Sequence, residues 1–231
     1  PGEIREISPD LFWGSQQVVP PFLPKSTPVV LTYCDLVLYL FPNTMRKIAA
    51  LQQRFFQAYS IKRADYVVSI SEATRRDFLK KFDFPEIKTG VAYPGVSQLE
   101  IKNLLRSEER IPGEIPEKFI LSVSTIEPRK NYKFLLEVFK EYRRLSGVQK
   151  LPWVIVGKIG WEKKEFLDEL NSEIRENRDI FLINFSSDVI LHKLYEKAEI
   201  FLFASLYEGF GIPLLEALAH RKKCLVSDIP T

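Results

Sequence analysis

Cysteine is almost missing from this chain: only Cys34 and Cys224 occur, far apart in the sequence. They supply no metal-ligand spacing and fit a reducing cytosol. Charge of one sign is missing too, since 33 basic residues face 30 acidic ones for a net charge of +3. The basic residues are dispersed rather than gathered in a stripe, which argues against nucleic acid as a partner. There is no long hydrophobic run. The most apolar stretch, residues 28–41, is too short to cross a bilayer and carries Asp35. Secretory signal, internal repeat and low-complexity tract are all absent, and no Asp-x-Asp motif offers paired carboxylates to a divalent metal. What the 231 residues do contain is a 45% apolar fraction, enough to build real cores in one large or two modest α/β domains. The chain starts at Pro1 rather than Met and stops at Thr231 just past a candidate strand, so a piece of a longer protein is expected.

Residues 1–26 are proline-rich and read as irregular, with Trp13 among them. Residues 28–33 (PVVLTY) form a candidate buried strand with Cys34-Asp35 at its carboxyl end. Asn43 is placed to cap a helix running to Arg63, residues 65–70 read as a strand, and Ser71 as the cap of a helix reaching Phe82. A short strand is expected over 87–93, before the Pro94-Gly95 turn. Residues 97–117, charged and holding Pro112, Gly113 and Pro116, look like an interdomain connection, which puts the domains at 1–108 and 109–231. Beyond it, strands at 118–124, 153–157, 180–184, 200–205 and 224–227 alternate with helices at 131–145, 163–174, 188–198 and 213–219. In the first of these helices Phe134, Leu135, Val138, Phe139, Tyr142 and Leu145 are expected to face inward, and Asp188 to cap the third. His192 and His220 are placed on helix surfaces. Such alternation predicts an α/β fold with a doubly wound parallel sheet.

Two strand-to-helix turns hold candidate chemistry. The first follows the strand at 200–205 and reads Leu206-Tyr207-Glu208-Gly209-Phe210-Gly211-Ile212-Pro213, with Glu216 eight residues beyond Glu208. Gly209 and Gly211 allow a sharp bend and a close approach to a ligand, and Pro213 suits the first helical position. A strand whose carboxyl end opens into a helix amino terminus is the usual ligand crevice of an α/β sheet, and that terminus favours anions such as phosphate. On spacing alone, two solvated glutamates on an ordinary turn explain it equally well. The second turn, Thr125-Ile126-Glu127-Pro128-Arg129-Lys130-Asn131, sets two cations beside a helix start with Asn131 as its cap. A diphosphate would offset them, Lys supplying a compact charge and Arg a forked donor. A solvated basic pair is the plain alternative.

Both turns resemble those of retaining glycosyltransferases of family 4 (glycosyl transferases group 1), enzymes of the two-Rossmann-domain GT-B type. The match lies in SLYEGFGIPLLEALA, with the family's E-x7-E motif, and in STIEPRKNYKFLLEVF; VIVGKIGW and INFSSDVILHKLYEKAEIFLFAS extend it, and ADYVVSISEATRRDFLKKF matches a further signature. It runs from about Phe12 to Pro230 and fits the middle of such an enzyme. The resemblance therefore implies two Rossmann-like domains, both incomplete here. It implies that Glu208 contacts the donor sugar and Glu216 the nucleotide ribose, with Gly209, Phe210, Gly211 and Ile212 forming the loop between them. Lys130 is the expected diphosphate ligand, with Arg129 a possible substitute for the Arg that many members carry where this chain has Thr125. Phe185 is placed to stack on the nucleobase, or else in the core. Where the family usually has His before Asp, this chain has Cys34, which reads as a small buried apolar residue.

The activity so implied is transfer of a sugar of mannose or glucose type from a nucleotide diphosphate sugar to an acceptor hydroxyl of a glycan or lipid-linked glycan. The resemblance implies retention of configuration and no cofactor beyond the donor substrate, and the lack of an Asp-x-Asp motif leads us to expect no essential divalent metal. It places the enzyme in polysaccharide biosynthesis in the cytoplasm, with possible peripheral contact at the inner membrane face through the basic, apolar helix ending at Arg63. The alternative is a nucleotide-sugar-binding or scaffolding subunit without turnover.

Overall fold

A computed structural model describes residues 9–21, 23–42, 47–111, 113, 115–147, 149–184 and 186–230, with backbone alone for residues 47–49. The chain divides into two compact units: Pro1–Pro94 with Tyr207–Phe210 and Pro230–Thr231, and Gly95–Leu206 with Gly211–Ile229.

In the first unit four short strands, β1 (Phe12–Gly14), β2 (Val29–Tyr33), β3 (Tyr66–Ser69) and β4 (Thr89–Val91), pair in that order, all parallel. The crossovers are α1 (Val37–Leu40) with α2 (Lys47–Arg63), and then α3 (Glu72–Lys81). β2 alternates, burying Val29, Leu31 and Tyr33 against Val67, Ile61 and Phe78. Tyr33 and Phe78 meet edge to face at 4.8 Å. Ser71 caps α3 as the sequence predicts, its hydroxyl accepting from Thr74 N at 3.0 Å. β1 arises where irregular chain is expected, and α1 in a stretch for which the sequence suggested no element. The proposed Asn43 cap lies outside the described residues.

The second unit is a five-stranded parallel sheet in the order β7-β6-β5-β8-β9, from β5 (Ile120–Val123), β6 (Trp153–Val156), β7 (Ile180–Ile183), β8 (Ile200–Phe203) and β9 (Lys223–Val226). Successive residues serve opposite faces. Trp153 and Ile155 pack with Leu135, Leu136 and Phe139 of α5 (Tyr132–Arg144) and with Phe166 and Leu170 of α6 (Lys164–Asn177). Val154 and Val156 pack with Ile190, Leu194 and Tyr195 of α7 (Asp188–Lys197) and Ala217 of α8 (Ile212–Ala219). Helices on both faces make the sheet doubly wound, and its strands read as continuous apolar runs because both faces are covered.

Three details depart from the sequence reading. Phe134 and Val138 of α5 and Leu145 just past its end are exposed, while Tyr132 and Leu136 are buried. The buried stripe runs through Tyr132, Leu135, Leu136 and Phe139, and Tyr132 stacks on Trp153 with ring centroids 6.2 Å apart. The cap of α7 is Ser187, whose hydroxyl accepts from Ile190 N at 3.2 Å, and Asp188 is the first helical residue. The stretch read as a connection contains α4 (Gln98–Leu105), which packs on α7 in the second unit, so that unit begins at Gly95.

Candidate functional site

In the second unit the chain reverses direction across the sheet at β5, whose neighbours are β6 on one side and β8 on the other. The loops leaving the carboxyl ends of β5 and β8 are the walls of a topological switch point, where α/β sheets take their ligands. A backbone hydrogen bond from Leu206 N to Arg129 O, 2.8 Å, ties them together. Within the β5 loop Pro128–Lys130 forms one 3-10 turn, and Asn131 follows in the left-handed region at φ 59°, with no side-chain capping bond. Asn131 thus sits at the predicted cap position of α5 without the predicted capping bond.

Arg129 and Lys130 do different work here. The Arg129 guanidinium donates through Nε and Nη2 to Glu127 Oε1 at 3.0 and 2.7 Å. Both side chains are well buried, 13% and 5% exposed, so Glu127 offsets the Arg129 charge. Sequence reasoning missed Glu127 as the partner that orients Arg129, although the two are only two residues apart. Lys130 Nζ stands over the Phe203 ring, 5.2 Å from its centroid, with the β8 ring as its floor. Thr125 is exposed in the same loop. At the carboxyl end of β8 the Ser205 hydroxyl is buried with no hydrogen-bond partner among the described residues. Phe185 lies outside the described residues.

The β8 loop re-enters the second unit at Gly211, which takes φ 93° as the residue preceding α8. Pro213 fills an early helical position, and the N–H groups of Leu214 and Leu215 bond to Gly211 O at 3.0 and 3.2 Å. Ile212 is 47% exposed at this helix start. Glu216 Oε2 accepts from Tyr195 OH at 2.9 Å. Burial raises its carboxyl above the ordinary range, and the Tyr195 hydrogen bond acts against that rise. Glu216 lines a cleft of about 220 Å³ with Asp188, Leu191, His192 and Ile212 and with residues of α4, among them Glu100 and Ile101. His192 is not on the surface as predicted, and His220 is half-buried. His192 is buried, its Nδ1 2.8 Å from His220 Nε2. Burial, with the His192 and Lys222 charges, lowers the His220 pKa to about 4.

Glu208 is buried in the first unit, 7% exposed. Its neighbours are anchored firmly there. Tyr207 OH accepts from Leu36 N at 3.1 Å, and Gly209 O accepts from the hydroxyls of Ser71 (2.5 Å) and Thr74 (3.0 Å). Gly209 packs so tightly that a Cβ there would stand 1.9 Å from Cys34 O. Phe210 meets Tyr93 with ring centroids 6.0 Å apart. Thr74 carries no signal in the sequence beyond its place in the first turn of α3. Cys34 is half-buried, and burial with the neighbouring Asp35 charge pushes its thiol up.

Comparison with known proteins agrees with this architecture. The sequence pattern of the family "Glycosyl transferases group 1" matches residues 106–231. The serotype-specific mannosyltransferase WbdA of Escherichia coli is 36% identical over 110 residues, 48% of this chain and 13% of that protein. The O-antigen chain mannosyltransferase B of Escherichia coli is 23% identical over 229 residues, 94% of this chain and 56% of the relative. The chain thus spans roughly half or less of these relatives' lengths. The crystal structure of Anabaena Alr3699/HepE in complex with UDP and glucose superposes with a TM-score of 0.68 at 17% identity, covering 98% of this chain and 62% of the other. What is shared with that structure is the fold, Rossmann-like α/β units of the GT-B type. With more than half of its length matched by the family pattern, this chain belongs to the glycosyl transferases group 1 family.

Proposed function

We propose that this protein transfers a sugar from a nucleotide diphosphate sugar to an acceptor hydroxyl of a glycan or lipid-linked glycan, with retention of configuration and without a bound divalent metal. The observation that carries the reading is the switch point in the second unit. There Lys130 stands over Phe203 in a loop tied to the β8 loop, where an α/β sheet takes its ligand. Lys130 would bind the donor diphosphate and stabilise the negative charge that grows on it as the glycosidic bond breaks. Arg129, already neutralised by Glu127, positions the turn more than it supplies charge. Glu216 would accept from the ribose hydroxyls, and Glu208 would orient the sugar. Mannose as the sugar is favoured by two relatives that are named as mannosyltransferases.

A membrane contact of the first unit is part of the same proposal. α2 has no acidic residue and exposes Leu51, Phe55, Phe56 and Tyr59 beside Arg54 and Lys62, the composition of a helix that lies on anionic lipid. No helix among the described residues is long and apolar enough to cross a membrane.

The test is sugar transfer by the full-length protein, assayed with UDP-glucose, GDP-mannose and related donors. Transfer with one donor, lost in Glu208→Ala while donor binding through Lys130 survives, supports the reading. Unchanged transfer in that variant removes the role given to Glu208. Donor binding without transfer in the wild type points instead to a sugar-nucleotide-binding subunit.

A further inference from the structure

Glu216 is not held by its own helix. Its Oε2 accepts from a phenol on α7, Tyr195, twenty-one positions earlier in the chain. Tyr195 is fully buried among Phe201, Ala217 and Leu194. Its ring is clamped by His220, stacked with centroids 5.5 Å apart at an interplanar angle of 16°, and by Phe201 at 5.7 Å. His220 is fixed in turn by the 2.8 Å contact with His192. Among the described residues the phenol's other acceptor is Pro213 O at 3.1 Å, in the first turn of the helix that carries Glu216. A phenol with one proton between a neutral carbonyl and a carboxylate gives the stronger bond to the charge.

We propose that Tyr195 is the positioning residue of the donor site, fixing Glu216 as an oriented, ionised acceptor for the ribose hydroxyls. The inference rests on the reading of Glu216 given above. One carboxylate oxygen is engaged by the phenol, and Oε1 remains to accept from a ligand in the cleft. Burial with the Glu216 charge raises the Tyr195 pKa far above the phenol range, so the phenol stays a donor throughout the working pH. The same burial favours the neutral acid of Glu216, a form that would present a proton where an acceptor is needed; the phenol acts against it. Other titratable groups around Glu216 are Asp188 and His192 on α7, Glu100 on α4 and His220 at the end of α8.

The experiment is calorimetric titration of the full-length protein with UDP, GDP and ADP, and with the 2′-deoxy analogue of whichever binds. The proteins are the wild type, Tyr195→Phe, Glu216→Gln and the double variant. Tyr195→Phe keeps the ring and its stacking. We expect it to weaken the nucleotide about tenfold, the size of one lost hydrogen bond to a charged group. We also expect its acid limb of binding to move to higher pH, and the penalty for removing the 2′-hydroxyl to shrink. In the Glu216→Gln background Tyr195→Phe should cost almost nothing, because both changes remove one unit. A nucleotide affinity of Tyr195→Phe equal to wild type, beside a weakened Glu216→Gln, overturns the proposal and leaves the donor-site reading intact. Additive losses overturn it as well, since they show Tyr195 acting elsewhere. Full affinity in Glu216→Gln, or no binding of any of the three nucleotides by the wild type, overturns the role of Glu216 and this inference with it.

Discussion

Gly209 shows how a single position can be dictated by packing before any chemistry is considered. Its Cα lies against the Cys34 carbonyl with no room for a side chain, while its own carbonyl is gripped by Ser71 and Thr74. Gly209→Ala must push this backbone apart, and overpacking of that kind costs about 1–3 kcal/mol; a thermal melt should show the loss as a lowered Tm. A melt equal to wild type would mean the loop has room that the structure does not show. His220 gives a pH signature at the same scale. Its folded pKa of about 4 lies below the 6.5 of a free imidazole, so the unfolded chain binds more protons between those values. Stability from His220 is therefore complete above pH 6.5 and is lost as pH falls toward 4. Urea denaturation at pH 7 and pH 5 should find the protein weaker at pH 5, and His220→Gln should flatten that difference. Glu208, Gly209, Gly211 and Glu216 after β8 and Lys130 after β5 were legible as candidates because they fall in two stretches that resemble family motifs. Tyr195, Thr74 and the His192–His220 pair were not, because each acts across elements that only the folded sheet brings together.

At the scale of elements, the predicted alternation is what the second unit is built from, and each of its five strands appears where the apolar runs stood. The errors are of rotation and of short pieces. α5 turns Phe134 and Val138 outward, and its buried Tyr132, Leu135, Leu136 and Phe139 stand at i, i+3, i+4 and i+7, so the apolar stripe was in the sequence but was taken in the wrong phase. α4 went unread because prolines and charges around it resemble a linker, whereas Ser97 caps it by accepting from Glu100 N and Ile101 buries against α7. α5 and α6 are also joined by a charged lattice. Lys140 bonds Glu169 and stands 3.5 Å from Glu173, while Arg143 bonds Glu173 and lies 3.6 Å from Asp179. Burial tends to raise the Glu173 carboxyl, and Arg143 and Lys140 outweigh it to bring it below its usual value. Glu173→Ala removes the carboxylate shared by Lys140 and Arg143, leaving each with one acidic neighbour, and should cost about 1 kcal/mol of stability at low salt, less at high salt. Chemical denaturation at two salt concentrations checks this; a loss independent of salt would assign the effect to packing.

For the whole molecule the family and the α/β class were readable because two loop motifs and a strand-helix rhythm coincide. The identity of the sugar and the acceptor was not, since it depends on shape rather than on a motif. The proposed metal independence belongs at this scale. Transfer by the full-length protein should be unaffected by EDTA, and an EDTA loss restored by Mn²⁺ would contradict it. The central claim is that the switch point beside Lys130 holds the donor diphosphate, and titration of UDP, GDP and ADP into the wild-type protein and Lys130→Ala tests it most directly. The account predicts saturable binding of one nucleotide by the wild type, weakened at least about tenfold in the variant, as the loss of a charged hydrogen bond requires. Equal affinity in the two proteins would contradict it.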